Sequence, residues 1–193
     1  MQAFLYQVAQ HLHRQYDDTI QNLCLVLPNK RGALFLKQHL AKVYNKTIWL
    51  PEIIAAEEFI VALAGVNVAD NITLTTELYK AYCTVLESKA EPFDRFVKWA
   101  SIMLHDFNEA DRYLVNAKDL FGNLRDVKEI ENWSLSEKDL SPFQEQYLAF
   151  MSNMGNIYEV YVQQLLEQNI VYQGLAYRLA VDKLKESPFK KLC

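Results

Sequence analysis

The stretch of sequence that decides the fold is residues 23–33, which read LCLVLPNKRGA. Its first five residues are all apolar, which predicts a short strand buried on both faces. Pro28 and Asn29 end this strand. A helix then begins with two cations in its first turn, Lys30 and Arg31, although the helix macrodipole disfavours positive charge at that end. Two explanations stay open: a site that binds a phosphate backbone, or an ordinary strand–turn–helix with a solvated basic turn.

The residues around this stretch alternate between helix and strand patterns. In order, they predict helix 3–16, strand 23–27, helix 30–44, strand 47–50 and helix 55–63. Pro51 ends the second strand, and Gly65 closes the third helix as its C-terminal cap. Because a helix separates the two strands, the pattern predicts a parallel pair joined by a crossover.

Beyond residue 66 the sequence predicts helices and no strand. Glycine and proline are scarce, at five each, which favours long helices. The helical segments are 76–86, the stretch after Pro92, 116–127, a long helix from Ser141 to about Gln168, and 172–185. We therefore expect an α/β but predominantly helical chain with three parts: a first subdomain at 1–66, a helical subdomain at 67–187, and the start of a continuation at 188–193. A two-stranded parallel sheet does not stand alone, so we expect an N-terminal fragment of a longer protein.

Charge is unevenly distributed along the chain, whose formal net charge is −4. Residues 1–66 carry six Lys and Arg against five Asp and Glu, whereas residues 67–193 carry fourteen against nineteen. No acid lies between Asp18 and Glu52, and this stretch holds five cations: Lys30, Arg31, Lys37, Lys42 and Lys46. A local basic strip on an acidic chain predicts binding of an anionic polymer at one place, and argues against a general nucleic-acid binder.

Motifs that carry catalytic chemistry are absent from the sequence. It has no P-loop, dinucleotide-binding, serine-nucleophile, HExxH or EF-hand pattern, and its four histidines have no partners at metal-ligand spacing. Asp106 and Glu109, three residues apart on a predicted helix, could share a cation. The structural interpretation of this pair is a solvated face with a salt bridge from Glu109 to Arg112. We assign no catalytic residue, no metal and no cofactor.

The aromatic residues and the cysteines give further expectations. The aromatic side chains of the long helix could stack on bases, but their helical spacing favours the core; they are Tyr147, Phe150, Tyr158 and Tyr161. Three widely separated cysteines, odd in number, predict a reducing, cytoplasmic compartment, with Cys24 buried in the first strand. No apolar run approaches the ~18–20 residues of a membrane span.

Three stretches taken together resemble the N-terminus of AddB-like proteins, which are subunits of ATP-dependent exonucleases in bacterial double-strand-break repair. They are Phe4–Leu12, residues 25–36 (LVLPNKRGALFL) and residues 49–53 (WLPEI). In that family an LPTRRA or FPNRRA turn precedes a helix and then an LP-I segment. Residues 106–114 (DFNEADRYL) are similar to a signature of the Bacteroidetes-type members, whose C-terminal part is a PD-(D/E)XK nuclease.

This resemblance implies a superfamily 1 helicase-like fold. Residues 1–66 would begin a RecA-like domain, and 67–187 would be a helical insertion of the kind called 1B. The turn after the first strand would be similar to helicase motif Ia, which touches single-stranded DNA. By that analogy Asn29, Lys30 and Arg31 are the candidate phosphate contacts, with Lys37 and Lys42 farther along the helix. The missing P-loop implies a non-catalytic, DNA-binding scaffold that works with a helicase or nuclease partner subunit.

A second interpretation assigns no nucleic-acid role to the chain. The acidic helical half is compatible with an all-helical module for protein–protein interaction. The basic strip over residues 30–46 favours the DNA-binding interpretation instead.

Overall fold

The computed structural model of the chain describes residues 3–117, 119–121 and 142–186. The chain divides into two compact units, Met1–Leu63 and Ala64–Cys193. The structure is predominantly helical, with short parallel strands. In chain order its main elements are α1 (Phe4–Tyr16), β1 (Cys24–Leu27), α2 (Lys30–Tyr44), β2 (Glu52–Ala55), α3 (Ala56–Ala64), β3 (Asn67–Val68), α4 (Asn71–Leu86), α5 (Phe93–Arg112), α6 (Pro142–Glu167), β4 (Ile170–Val171) and α7 (Gln173–Glu186).

The first unit is a β1–α2–β2 arrangement with α1 packed beside α2. β1 and β2 pair in parallel, with Cys24 opposite Glu52 and Leu27 opposite Ala55. This confirms the predicted parallel pair, since α2 returns the chain to the start of the sheet. The core between the helices and the sheet is made of Ala9, Leu12, Ile20, Leu36, Leu40 and Tyr44.

The second strand lies later than the sequence predicts. Residues 47–50 are not a strand, and β2 begins at Glu52, directly after Pro51. A proline lacks an N–H but is tolerated just before the first strand residue. The Glu52 amide then donates to the Leu23 carbonyl at 3.1 Å, which starts the ladder. The sequence pattern predicts a strand that ends at Pro51, whereas Pro51 precedes one.

The prediction that β1 is buried on both faces is also wrong. Leu25 and Leu27 face the helical core, whereas Cys24 and Val26 point the other way and are exposed. Among the described residues, helices cover only one face of this two-stranded sheet. Cys24 is consequently a surface thiol, not a core residue.

The second unit has a large aromatic core. Phe96, Phe107 and Tyr161 are fully buried between helices. The rings of Phe96 and Trp99 lie 4.6 Å apart, and those of Tyr161 and Tyr172 stack at 5.8 Å. The i, i+3, i+4 pattern of α5 predicts this buried face correctly, because Phe96, Ala100, Met103 and Phe107 all lie on it.

A second pair of strands contradicts the prediction that no strand follows residue 66. β3 and β4 pair in parallel, with Asn67 opposite Ile170 and Val68 opposite Val171. Each strand has two residues, too few to show an alternating pattern. Their pairing joins segments about a hundred residues apart, which no local signal reveals.

Capping residues that can be recognised in the sequence lie at the ends of α3, α4 and α5. α4 begins at Asn71, five residues earlier than predicted, because Asp70 accepts hydrogen bonds from the amides of Ile72 and Thr73 at 2.9 and 3.0 Å. Pro92 precedes the first residue of α5 instead of being that residue. Gly65 follows α3 with a φ of +65°, which confirms the predicted cap.

Several predicted features lie wholly or partly outside the described residues. They are the cap at Ser141, the end of the helix predicted over 116–127, and the segment 188–193. Residues 117 and 119–121 are helical, as predicted. Within the part of the chain that the structure describes, no helix is long and apolar enough to cross a bilayer.

Candidate nucleic-acid interface

The turn after β1 is built by an Asn cap. Asn29 has extended backbone angles and its Oδ1 accepts a hydrogen bond from the Gly32 amide at 2.8 Å. The cap satisfies one of the amide groups that the start of α2 leaves without a partner. Asn29 therefore has a local structural role as the cap of α2, and its Nδ2 group makes no hydrogen bond with the described residues.

Lys30 is already partnered by an acid of the same unit. Its Nζ lies 2.5 Å from Glu58 Oε1 on α3. The hydrogen bond and charge of Glu58 raise the pKa of Lys30, and the hydrogen bond from Lys30 lowers the pKa of Glu58. Both side chains are largely exposed, so solvent screens the pair. Lys30 is consequently a weaker candidate for a phosphate contact than Arg31.

The remaining candidates are exposed and unpaired. Arg31, Lys37 and Lys42 form no ion pair with any residue that the structure describes. α2 contains no acid, so nothing on the helix itself neutralises them. Arg31 and Lys42, eleven residues apart, lie on one side of the exposed face, and Lys37 lies on the other side, below Lys30. Arg31 through Lys42 spans about 16 Å of helix.

Lys46, the last cation of the basic strip, is not available in the same way. Its Nζ lies 3.5 Å from Asp17 Oδ1 and 3.8 Å from Asp18 Oδ1. His13 Nδ1 lies 3.1 Å from the same oxygen of Asp17. The strip that remains for an anionic ligand is thus the exposed face of α2.

The acidic pair considered for a metal has an ordinary structural role. Glu109 lies 3.6 Å from Arg112 Nη1, which is the predicted salt bridge. Asp106 is exposed on α5. The described residues contain no cluster of three His, Cys, Asp or Glu side chains placed to hold a metal ion.

The aromatic side chains of α6 belong to the core where they are described. Tyr161 is fully buried and its hydroxyl donates to the Leu74 carbonyl at 3.3 Å. Phe150 packs edge-on against Trp99 at 4.7 Å. The core interpretation is therefore confirmed for these two rings, while the Tyr147 side chain lies outside the described residues.

A buried ionic cluster in the second unit was missed at the sequence level. Asp111 is fully buried; its Oδ1 accepts from Tyr158 and from Arg178 Nε, both at 2.6 Å, and its Oδ2 accepts from Tyr172. Burial, together with the charge of Asp111, raises the pKa of both tyrosines. Asp111 lies four residues after Phe107, on the apolar face of α5. An acid on the apolar face of a predicted helix could have indicated the cluster, because a buried carboxylate requires hydrogen-bond or ionic partners.

This cluster joins three helices and does not offer a free charged group. Arg178 Nη2 donates to the carbonyls of Ala110 and Val115 at 3.2 and 2.5 Å, so Arg178 also caps the end of α5. An open cleft of about 440 Å³ lies beside it, lined by Leu114, Asn116, Ala117, Tyr158, Glu159 and Arg178. The guanidinium that faces this cleft is already engaged through Nε and Nη2, which favours a structural role for the cluster.

Comparisons with family models, with curated proteins and with solved structures find no match to this chain. The exposed basic face of α2 and the sequence resemblance are therefore the features that indicate a function.

Proposed function

We propose that this chain is the DNA-binding, non-catalytic N-terminal region of an AddB-like exonuclease subunit that acts in double-strand-break repair. The observation that carries the proposal is the exposed face of α2, a helix with no acid of its own, on which Arg31, Lys37 and Lys42 form no ion pair with the described residues. Unpaired cations attract a phosphate backbone without reading sequence. The expected ligand is DNA, as a single strand or a duplex end, bound independently of sequence.

The arrangement of the first unit supports the finer part of the proposal. A parallel β1–α2–β2 unit is compatible with the start of a RecA-like domain. The helices of the second unit would then be the 1B-like insertion. Since the sequence has no P-loop, this region itself would not hydrolyse ATP, and a helicase or nuclease partner subunit in the cytoplasm would supply the motor.

Salt-dependent binding tests this proposal. We expect fluorescence anisotropy with a labelled single-stranded oligonucleotide to give an affinity that falls as salt rises, by roughly 0.7 log units per log unit of salt for each phosphate contact. The triple variant Arg31→Ala, Lys37→Ala and Lys42→Ala should reduce this slope by about two units. Replacing Arg95 and Lys98, exposed cations of α5, with Ala is the control. An unchanged slope in the triple variant would refute the assignment.

Asn29 allows the cap to be separated from the interface. Asn29→Asp keeps a capping oxygen and adds a negative charge favoured at a helix start. We therefore expect folding to be preserved while binding of DNA weakens. Normal binding by Asn29→Asp would place the DNA away from this turn.

A protein–protein interaction role is favoured by one observation. Trp49 and Leu50 are 83 % and 46 % exposed in the segment before β2, and exposed apolar residues of this size are typical of contact surfaces. If the chain associates through this segment and shows no salt-dependent DNA binding, the interaction role replaces the DNA-binding role. The all-helical form of that hypothesis is wrong, because β1 and β2 pair.

A further inference from the structure

One row of side chains on α2 combines cations with an exposed aromatic ring. Arg31, Phe35, Gln38 and Lys42 follow the spacing i, i+4, i+7 and i+11, which places them along one face of the helix. All four are exposed, and Phe35 retains 46 % of its accessible surface. The core of the unit lies on the opposite side, where Leu36, Leu40 and Tyr44 are buried.

Phe35 lies outside the core of this unit, and nearly half of its surface is exposed. It is not part of the core cluster around α1 and α2, and it makes no ring contact with the described residues. The exposed part of this apolar ring does not gain the free energy that burial away from water would give. Its position between two cations that form no ion pair with the described residues makes it a candidate contact for a ligand that is both anionic and aromatic.

We propose that this row binds single-stranded DNA, with Phe35 stacked on an unpaired base and with Arg31 and Lys42 on phosphates on either side. This inference rests on the proposed function and specifies its substrate class. Stacking on an aromatic ring requires an exposed base face, which a single strand presents and a duplex hides. The positive charge of the row favours an anionic nucleic-acid strand over an apolar peptide that has few acidic residues. Gln38, between the cations, can donate to phosphate or base.

The decisive measurement compares two probes of equal charge. One is a fluorescein-labelled single-stranded oligonucleotide, and the other is an abasic strand with the same number of phosphates. For the full 193-residue chain we expect the strand with bases to bind about five- to a hundredfold more tightly, the range for stacking of one base. Equal affinity for the two probes would overturn the proposal without any variant.

Variants then locate the stacking ring. Phe35→Ala should lose most of the preference for bases and keep its affinity for the abasic strand, whereas Phe35→Tyr should retain the preference. Leu34→Ala is the matched control, because Leu34 is 57 % exposed on the neighbouring row. Wild-type preference in Phe35→Ala would overturn the inference.

Failure of this inference differs from failure of the proposed function. If the chain binds both probes with a salt-dependent affinity but shows no effect of Phe35, DNA binding stands and the stacking role is wrong. If the chain binds neither probe and associates with itself through this face, both are wrong.

Discussion

The two units use the same kinds of side chain in opposite ways. In the second unit Phe96, Phe107 and Tyr161 are fully buried, and Arg178 is held by the buried Asp111. In the first unit Phe35 and Trp49 are exposed, and Arg31 has no acidic partner among the described residues. The difference teaches that charge and aromatic content alone do not indicate function. A charged or aromatic side chain has a structural role where neighbouring residues pair with it or pack against it. It is available to a ligand where no such neighbour is present.

The largest effect should come from breaking the buried cluster. Asp111→Ala leaves Arg178 Nε and two tyrosine hydroxyls without the acceptor they share, so we expect a loss of about 3–5 kcal/mol in the free energy of unfolding. Asp182→Ala removes an exposed carboxylate that pairs with Lys185 and should cost less than about 1 kcal/mol. Urea unfolding followed by circular dichroism measures both. Similar losses for the two variants would mean that the cluster is not a structural centre.

Substitution of one glycine in each unit compares how tightly the atoms pack inside the first unit and inside the second. A Cβ on Gly174 would clash with the Asn108 carbonyl oxygen, so Gly174→Ala must displace backbone and should cost about 2–3 kcal/mol. A Cβ on Gly32 would meet its nearest atom at 3.6 Å. Gly32→Ala should therefore be neutral or stabilising, since alanine favours the helix. Thermal unfolding distinguishes the two, and tolerance of Gly174→Ala would contradict the close approach of α5 and α7.

Two valines in parallel strands make a finer comparison. Val171 is fully buried in β4, whereas Val26 is 42 % exposed in β1. Val171→Ala should cost about 2 kcal/mol, from lost burial and the cavity left behind, and Val26→Ala less than half of that. Hydrogen exchange with mass spectrometry assigns each loss to its own unit. Equal costs would show that the outer face of β1 is covered in solution.

The smallest effect concerns pH. Burial raises the pKa of Glu77, but hydrogen bonds from Lys80 and Gln168 outweigh it and hold that pKa below its ordinary value of 4.5. Glu77 therefore stabilises the folded state above pH 4.5, and this contribution is lost as the pH falls through the lowered value. Glu77→Gln should flatten the acid side of a stability–pH curve. Glu57→Gln, the same substitution at an exposed position, is the control.

Local patterns predicted the elements of the first unit closely, and the contacts between elements poorly. α1, α2 and β1 lie within a residue of their predicted ends, because apolar spacing and caps are local properties. The second strand was displaced because a proline marks a boundary without saying on which side the strand lies. Of the predicted site, Arg31, Lys37 and Lys42 are exposed and form no ion pair within the part of the chain that the structure describes, but the Glu58 partner of Lys30 depends on where α3 lies.

The period of apolar residues and the residue types are sufficient to predict the helical spacing, the parallel β1–α2–β2 order, and a basic helix without acids. Three features required the folded chain: which face of β1 is covered, the pairing of β3 with β4, and the binding of Asp111 by Arg178 and two tyrosines. Such facts depend on segments far apart in the chain, and desolvation makes a charge structural or available according to what packs beside it.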